Sequence, residues 1–310
     1  DAQGVVRDYR NAILTIDEGG TLENHGCLLV NGEFYNLGTV KNDGNYDDVI
    51  TSDDPDKGLF TYHKGIQLSW KDDITQGHTN AGEFYNGIND GNTKHNENAV
   101  VENTGDFVMV PGYMENYAKL VNKGNIYMCA VDEVVIPIAA YADQPLVTEK
   151  RINLGYDEYS FILNNTYGDG YTYSNVPALI SNSGKIAPAK VEVVSNGRTG
   201  TLTPDVSDYP EDLNINGSGN VENSGTIGIN SVYTYGKVTI SGNGKIDRVI
   251  LCQVDGVSGN CIDTSSTKGS KIYNGVKTQN GAADIWDYAG ETTLKVSEDT
   301  WRQEADPGQK

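Results

Sequence analysis

The chain has 310 residues, with 43 acidic against 23 basic side chains, a formal charge of −20, 37% hydrophobic content and 36 glycines. That length suits one large domain or two small ones, and the acidity excludes a phosphate-backbone binder, which needs clustered Lys and Arg. The longest apolar stretch, Val134 to Ala142, falls well short of the ~18 residues of a membrane-spanning helix, so no such span is expected.

The chain opens Asp1-Ala2-Gln3-Gly4, with no initiator Met and no charged-then-apolar leader, as expected of a processed product or trimmed segment that has lost any export signal. The first patterned element runs from Gly20 to Gly44, where glycine falls at every sixth residue: Gly20, Gly26, Gly32, Gly38 and Gly44. Two positions after each stands Leu22, Leu28, Phe34, Val40 or Tyr46; four positions after stands Asn24, Val30, Asn36, Asn42 or Asp48. Because six is even, these residues share one face of an extended chain, while Thr21, Glu23, Glu33, Thr39, Lys41 and Asp43 share the other. A helix would scatter the set around its cylinder, so the unit predicts strands that turn at regular corners.

The unit returns at Val101-x-Asn103-x-Gly105-x-Phe107, at Leu120-x-Asn122-x-Gly124-x-Ile126 and at Ile180-x-Asn182-x-Gly184-x-Ile186. Near the end an alternate set runs Leu213, Ile215, Gly217, Gly219, Val221, Asn223, Gly225, Ile227, Ile229, echoed by Ile240, Gly242, Gly244, Ile246. Literal copies also occur: Gly32-Glu-Phe-Tyr-Asn36 matches Gly82-Glu-Phe-Tyr-Asn86, and Val101-Glu-Asn-Thr-Gly105 matches Val221-Glu-Asn-Ser-Gly225 except at one position. The expectation is a parallel β-solenoid: apolar residues stack inward, inward Asn forms ladders from coil to coil, and Gly serves where a corner needs positive φ or lacks room for a Cβ. An antiparallel sandwich is the alternative, but its hairpins require no inward Asn at a fixed phase.

Three stretches interrupt the repeat and read as long loop insertions in a single domain, residues 1–301: about 45–98, 131–176 and 194–212. The first is acidic and His-bearing, and its Asp53, Asp54 and Asp56 are the calcium candidates, with a spacing that does not match an EF-hand loop. The second holds Val134-Val-Ile-Pro-Ile138 and then the tyrosines Tyr156, Tyr159, Tyr167, Tyr171 and Tyr173, the predicted ligand-binding residues, since such rings stack on sugars or anchor an interface; packing against the solenoid wall is the competing role. Four cysteines (Cys27, Cys129, Cys252, Cys261) show no zinc spacing; Cys252 and Cys261 flank a turn-rich segment that would let them pair, or stand as two thiols. Asp284 to Tyr288 and Thr293 to Val296 read as last strands or a cap, and residues 302–310 as a flexible tail.

The units Thr21-Leu-Glu-Asn-His-Gly26 and Val221-Glu-Asn-Ser-Gly-Thr-Ile227 resemble the repetitive β-helix segments of secreted and surface-anchored bacterial adhesins and autotransporter passenger domains. The resemblance covers about half the chain in scattered blocks. It implies an all-β, right-handed parallel β-helix displayed outside the cell, and no catalytic residue. The left-handed hexapeptide helix of acyltransferases shares the period but has a small residue after its aliphatic one and more regular coils.

β-Helices also include polysaccharide lyases and glycoside hydrolases, whose acids stand on neighbouring coils. Asp72-Asp73 lies only a few residues before His78, there is no Asn-Thr-Asp, Gly-His-Gly or Arg-Ile-Lys sequence, and Arg is sparse, so no catalytic residue is assigned. The expected function is a non-enzymatic extracellular bacterial surface protein, adhesin-like, whose loops bind a polysaccharide or a host surface protein; no cofactor is expected, calcium at Asp53, Asp54 and Asp56 being the candidate against a simply solvated acidic loop. A carbohydrate-active β-helix enzyme is the alternative.

Overall fold

The structure, a computed structural model, describes residues 13–30, 32–54, 58–68, 82–109, 112–129, 131–138, 148–158, 160–165, 178–191, 202–203, 214–217, 219–229, 231–235, 240–242, 244–246, 248–252, 271–280 and 283–291. Three parallel sheets form the sides of a solenoid, and the chain visits them in the same order in every coil. A ten-stranded sheet receives Ile13–Ile16, Glu33–Asn36, Gly82–Asn86, Gly112–Asn116, Phe161–Asn164, Asn214–Gly217, Ser231–Tyr235 and Arg248–Cys252. A seven-stranded sheet follows with Thr21–Asn24, Thr39–Asn42, Val100–Asn103, Lys119–Asn122, Leu179–Asn182, Asn220–Asn223 and Ile240–Ser241. An eight-stranded sheet closes each coil with Cys27–Val30, Gly65–Leu68, Asp106–Met109, Asn125–Cys129, Lys185–Val191, Thr226–Ile227 and Lys245–Ile246, with Leu202–Thr203 paired antiparallel to its long strand. The ten-stranded sheet ends in an antiparallel pair, Lys271–Asn280 with Ala283–Glu291, so Asp284 to Tyr288 lie in the last strand among the described residues, and Thr293 to Val296 lie outside them.

The hexad has a direct geometric meaning: one unit makes one side and one corner. Bare coils place equivalent asparagines 18 or 19 residues apart (Asn24 to Asn42, Asn103 to Asn122), whereas 61, 60 and 41 residues separate them where insertions intervene. The alternation survives each corner, so Phe34, Val40, Leu120, Ile126, Val221, Ile227 and Ile246 are all buried, while Lys41 and Glu222 are exposed. Inside, Phe34 stacks on Phe84 at 4.6 Å and Phe84 meets the edge of Phe107 at 5.6 Å. Aliphatic side chains repeat the arrangement on the other two sides, as in Val40, Val101, Leu120, Ile180 and Val221.

Two asparagine ladders hold the corners. After the seven-stranded sheet, Asn24, Asn42, Asn103, Asn122 and Asn182 each donate from Nδ2 to Oδ1 of the next rung, ending at Asn223, at 2.7–2.8 Å. After the ten-stranded sheet, Asn36, Asn86 and Asn116 do the same, ending at Asn164, over equal distances. The second Nδ2 hydrogen goes to backbone: Asn103 to the carbonyl oxygen of Asn125, Asn86 to that of Lys119. The rungs are thus buried and hydrogen-bonded to one another, as burial of an amide demands. Asn223→Leu is expected to lower stability by about 1–3 kcal/mol in urea unfolding, because it takes the acceptor from one Nδ2 hydrogen of Asn182 and removes the donor to the Lys245 carbonyl.

The insertions are shorter and more numerous than the sequence suggests. The stretch 45–98 contains two solenoid strands, Gly65–Leu68 and Gly82–Asn86, and so divides into separate excursions, the first an antiparallel hairpin of Val49–Asp54 with Gly58–His63. The stretch 131–176 contains the solenoid strand Phe161–Asn164, preceded by the hairpin Val131–Ile138 with Thr148–Glu158. Gly65–Leu68 and Phe161–Asn164 each show one apolar alternation with no full hexad around it, and Gly82–Asn86 is the copy of Gly32–Asn36 set between the excursions. Residues 194–201, 204–212 and the tail 302–310 lie outside the described residues.

Candidate functional site

On the outer side of the ten-stranded sheet, coils two to five present eight positions: Glu33 and Tyr35, Glu83 and Tyr85, Tyr113 and Glu115, Phe161 and Leu163. The duplicated Gly-Glu-Phe-Tyr-Asn segments stack directly on each other, with Glu33 opposite Glu83 and Tyr35 opposite Tyr85. The same pairing that puts Phe34 on Phe84 inside therefore puts Tyr35 on Tyr85 outside, at 4.7 Å and nearly parallel. In the next strand the order inverts: Tyr113 stands opposite Glu83 and Glu115 opposite Tyr85. Tyr113 meets Tyr85 edge-on at 6.2 Å and leans on Phe161 at 4.4 Å. The result is a continuous aromatic strip running across the strands, parallel to the solenoid axis.

Each tyrosine of the strip is hydrogen-bonded to the glutamate two residues away. Tyr35 donates to Glu33 at 2.9 Å, Tyr85 to Glu83 at 2.5 Å and Tyr113 to Glu115. Burial, then the carboxylate that accepts the proton, raises all three phenols above their ordinary range, so the hydroxyls stay protonated donors. Tyr35 is buried and the other seven positions are half-buried; none of the eight is basic. Such a surface offers ring carbons for apolar contact and carboxylate oxygens as acceptors, which is the pair of contacts a sugar's C–H patches and hydroxyl groups require.

The outer side of the eight-stranded sheet, by contrast, is covered by the chain itself. Tyr46, in the excursion after Asn42, is buried and stacks on His63 at 4.1 Å, and its backbone N–H donates to Asp106 Oδ2 at 2.7 Å. His63 Nδ1 donates to the Tyr46 carbonyl at 2.8 Å, and Gln67 Nε2 donates to the His63 carbonyl at 2.6 Å. Beneath lie Val108 and the thiols Cys27 and Cys129, where burial pushes the Cys27 thiol up to about 12 and Cys129 higher still. Both thiols are free, and neither is expected to react with a thiol reagent until the protein is unfolded, a point checked by Ellman titration with and without denaturant.

The strip is built from tyrosines other than those the sequence singles out as ligand-binding. Tyr156 falls in the strand Thr148–Glu158 of the hairpin, and Tyr159, Tyr167, Tyr171 and Tyr173 lie outside the described residues. Asp53 and Asp54 fall in the strand Val49–Asp54, Asp56 lies outside, and among the described residues no group of three or more His, Cys, Asp or Glu could hold a metal ion. Cys252 closes the strand Arg248–Cys252 and Cys261 lies outside. Among the described residues no helix is long and apolar enough to cross a membrane. The signal for the strip was present in the copied Gly-Glu-Phe-Tyr-Asn segments, whose outward Glu and Tyr read only as evidence of duplication. No family model matches the chain, and neither a curated protein nor a solved structure is significantly similar to it.

Proposed function

We propose that the chain is a non-enzymatic, extracellular bacterial surface module, an adhesin-like β-helix that binds a polysaccharide along the outer side of its ten-stranded sheet. The observation that carries this reading is the aromatic and carboxylate strip from Tyr35 to Phe161, which faces outward from a rigid scaffold and needs no moving part. A polymer fits such a surface better than a small molecule does, because equivalent groups recur from coil to coil along one line. The insertions leave the strands of these four coils in unbroken register, so a bound chain meets a continuous wall.

A glycan array decides the matter. Wild type should bind polysaccharide, Tyr85→Ala/Tyr113→Ala should lose at least about tenfold in affinity while keeping its β circular dichroism, and Tyr156→Ala/Tyr159→Ala/Tyr171→Ala should keep binding. Loss in the last variant alone moves the site to the insertion after Cys129, and no binding by wild type to any glycan removes the polysaccharide reading. One observation favours the enzymatic alternative: Glu83 and Glu115 stand on neighbouring coils, as the acids of a β-helix hydrolase would. Release of reducing ends from a bound glycan, abolished by Glu115→Gln, would establish it.

A further inference from the structure

Resting on that reading, we infer that the polysaccharide is one that carries free amino groups, a de-N-acetylated hexosamine polymer, lying along the solenoid axis with its ammonium groups against Glu83 and Glu115. Three features of the surface converge on this class. The strip's hydroxyl donors are already directed at its own carboxylates, Tyr85 to Glu83 and Tyr113 to Glu115, so what faces the ligand is acceptor oxygen and aromatic carbon. A ligand must therefore bring the donors, and an ammonium group is the strongest one a sugar offers, forming charge-assisted bonds to carboxylate and attractive contacts with tyrosine rings. The register supplies both together: Glu83 has Tyr85 in its own strand and Tyr113 opposite, and Glu115 has Tyr113 in its own strand and Tyr85 opposite.

The neighbouring sheet has a different charge pattern. On the outer side of the seven-stranded sheet, register partners alternate in sign: Glu23 opposes Lys41 with Nζ to Oε1 at 2.9 Å, and Lys41 opposes Glu102. On the strip, Glu33 opposes Glu83 in register, and none of the strip's eight positions carries a basic side chain. The charge of the whole chain, −20, adds a field that repels uronic or sulfated glycans and draws a cationic polymer in.

Titration calorimetry with three probes tests the inference: a glucosamine hexamer, its fully N-acetylated counterpart and an oligogalacturonate of equal length. The free-amine hexamer should bind at least about tenfold more tightly than the acetylated one, with no binding of the oligogalacturonate, and its affinity should fall with added salt and as pH rises through the titration of the ligand's amines. Glu83→Gln/Glu115→Gln should lose at least about tenfold, while Glu102→Gln/Glu222→Gln, the same change in charge on the seven-stranded sheet, should not. Equal loss in both double variants would mean bulk charge attraction and overturn the assignment to the strip. Equal binding of the acetylated hexamer would overturn the ligand class but leave the polysaccharide reading intact, whereas a glycan array on which wild type binds nothing removes both.

Discussion

Alanine at Gly184 is expected to destabilise the protein by on the order of 3 kcal/mol, the upper range of overpacking in a closed interior. Gly44, Gly105, Gly124, Gly184, Gly225 and Gly244 stand in file at the corner between the seven- and eight-stranded sheets, two residues past an asparagine rung at all but the last. A Cβ on Gly184 would drive into the carbonyl oxygen of Gly124, and the atoms it meets are backbone, so no side-chain rotation can relieve the overlap. Making room means parting two coils, which stretches the bond from Lys185 N to Gly124 O, now 2.9 Å, and the bond from Asn122 to Asn182, now 2.7 Å. The corner requires glycine for close approach, not for positive φ. A urea midpoint for Gly184→Ala within about 0.5 kcal/mol of wild type would show that the coils are not in contact there.

Phe84→Ala should cost about 3–5 kcal/mol, because the ring is fully buried between Phe34 and Phe107 and neither neighbour can collapse into the space it leaves. Both neighbours sit on strands fixed by the ladders above and below, which makes the cavity harder to close than one in a helical core. Lys41→Ala is the matching control. Its ion pair with Glu23 is solvent-exposed and its loss should move the midpoint by less than about 1 kcal/mol. Equal effects from the two substitutions would mean that the inward phase is misassigned.

The parts of this fold written in short-range pattern were readable from the chain alone. Gly20 to Gly44 states the side length and the inward phase, and Asn24, Asn36, Asn103 and Asn223 announce the ladders in which they sit. What needs knowledge of the stacking was not readable. Tyr35 and Tyr85 are 50 residues apart and Tyr113 lies a further 28 along, so their meeting depends on how many residues each excursion removes from the coil. Gly65-Ile-Gln-Leu68 carries a single alternation with no neighbouring unit in phase, too little to reveal a solenoid side. The tyrosine run from Tyr156 to Tyr173 is dense within the sequence, whereas the outer strip is assembled by spacing across coils.

The two files of asparagine amides share one direction: in both, Nδ2 of the earlier coil donates to Oδ1 of the later one, from Asn24 to Asn223 and from Asn36 to Asn164. Side-chain dipoles aligned this way add along the axis, as peptide dipoles add along a helix, and each polarises the next. The rod therefore has electrically distinct ends. Both files also stop in the same manner, where the next position is a positive-φ glycine, Gly217 after Asn164 and Gly242 after Asn223, and the final Nδ2 turns to a backbone carbonyl, that of Asn220 or Lys245. At its other end the longer file presents Asn24 Oδ1, held only by the Gly26 N–H at 3.3 Å among the described residues. Among the described residues the file therefore runs from an acceptor oxygen on Asn24 to a donor on Asn223 that turns to backbone, a ladder with a fixed polarity along the solenoid axis.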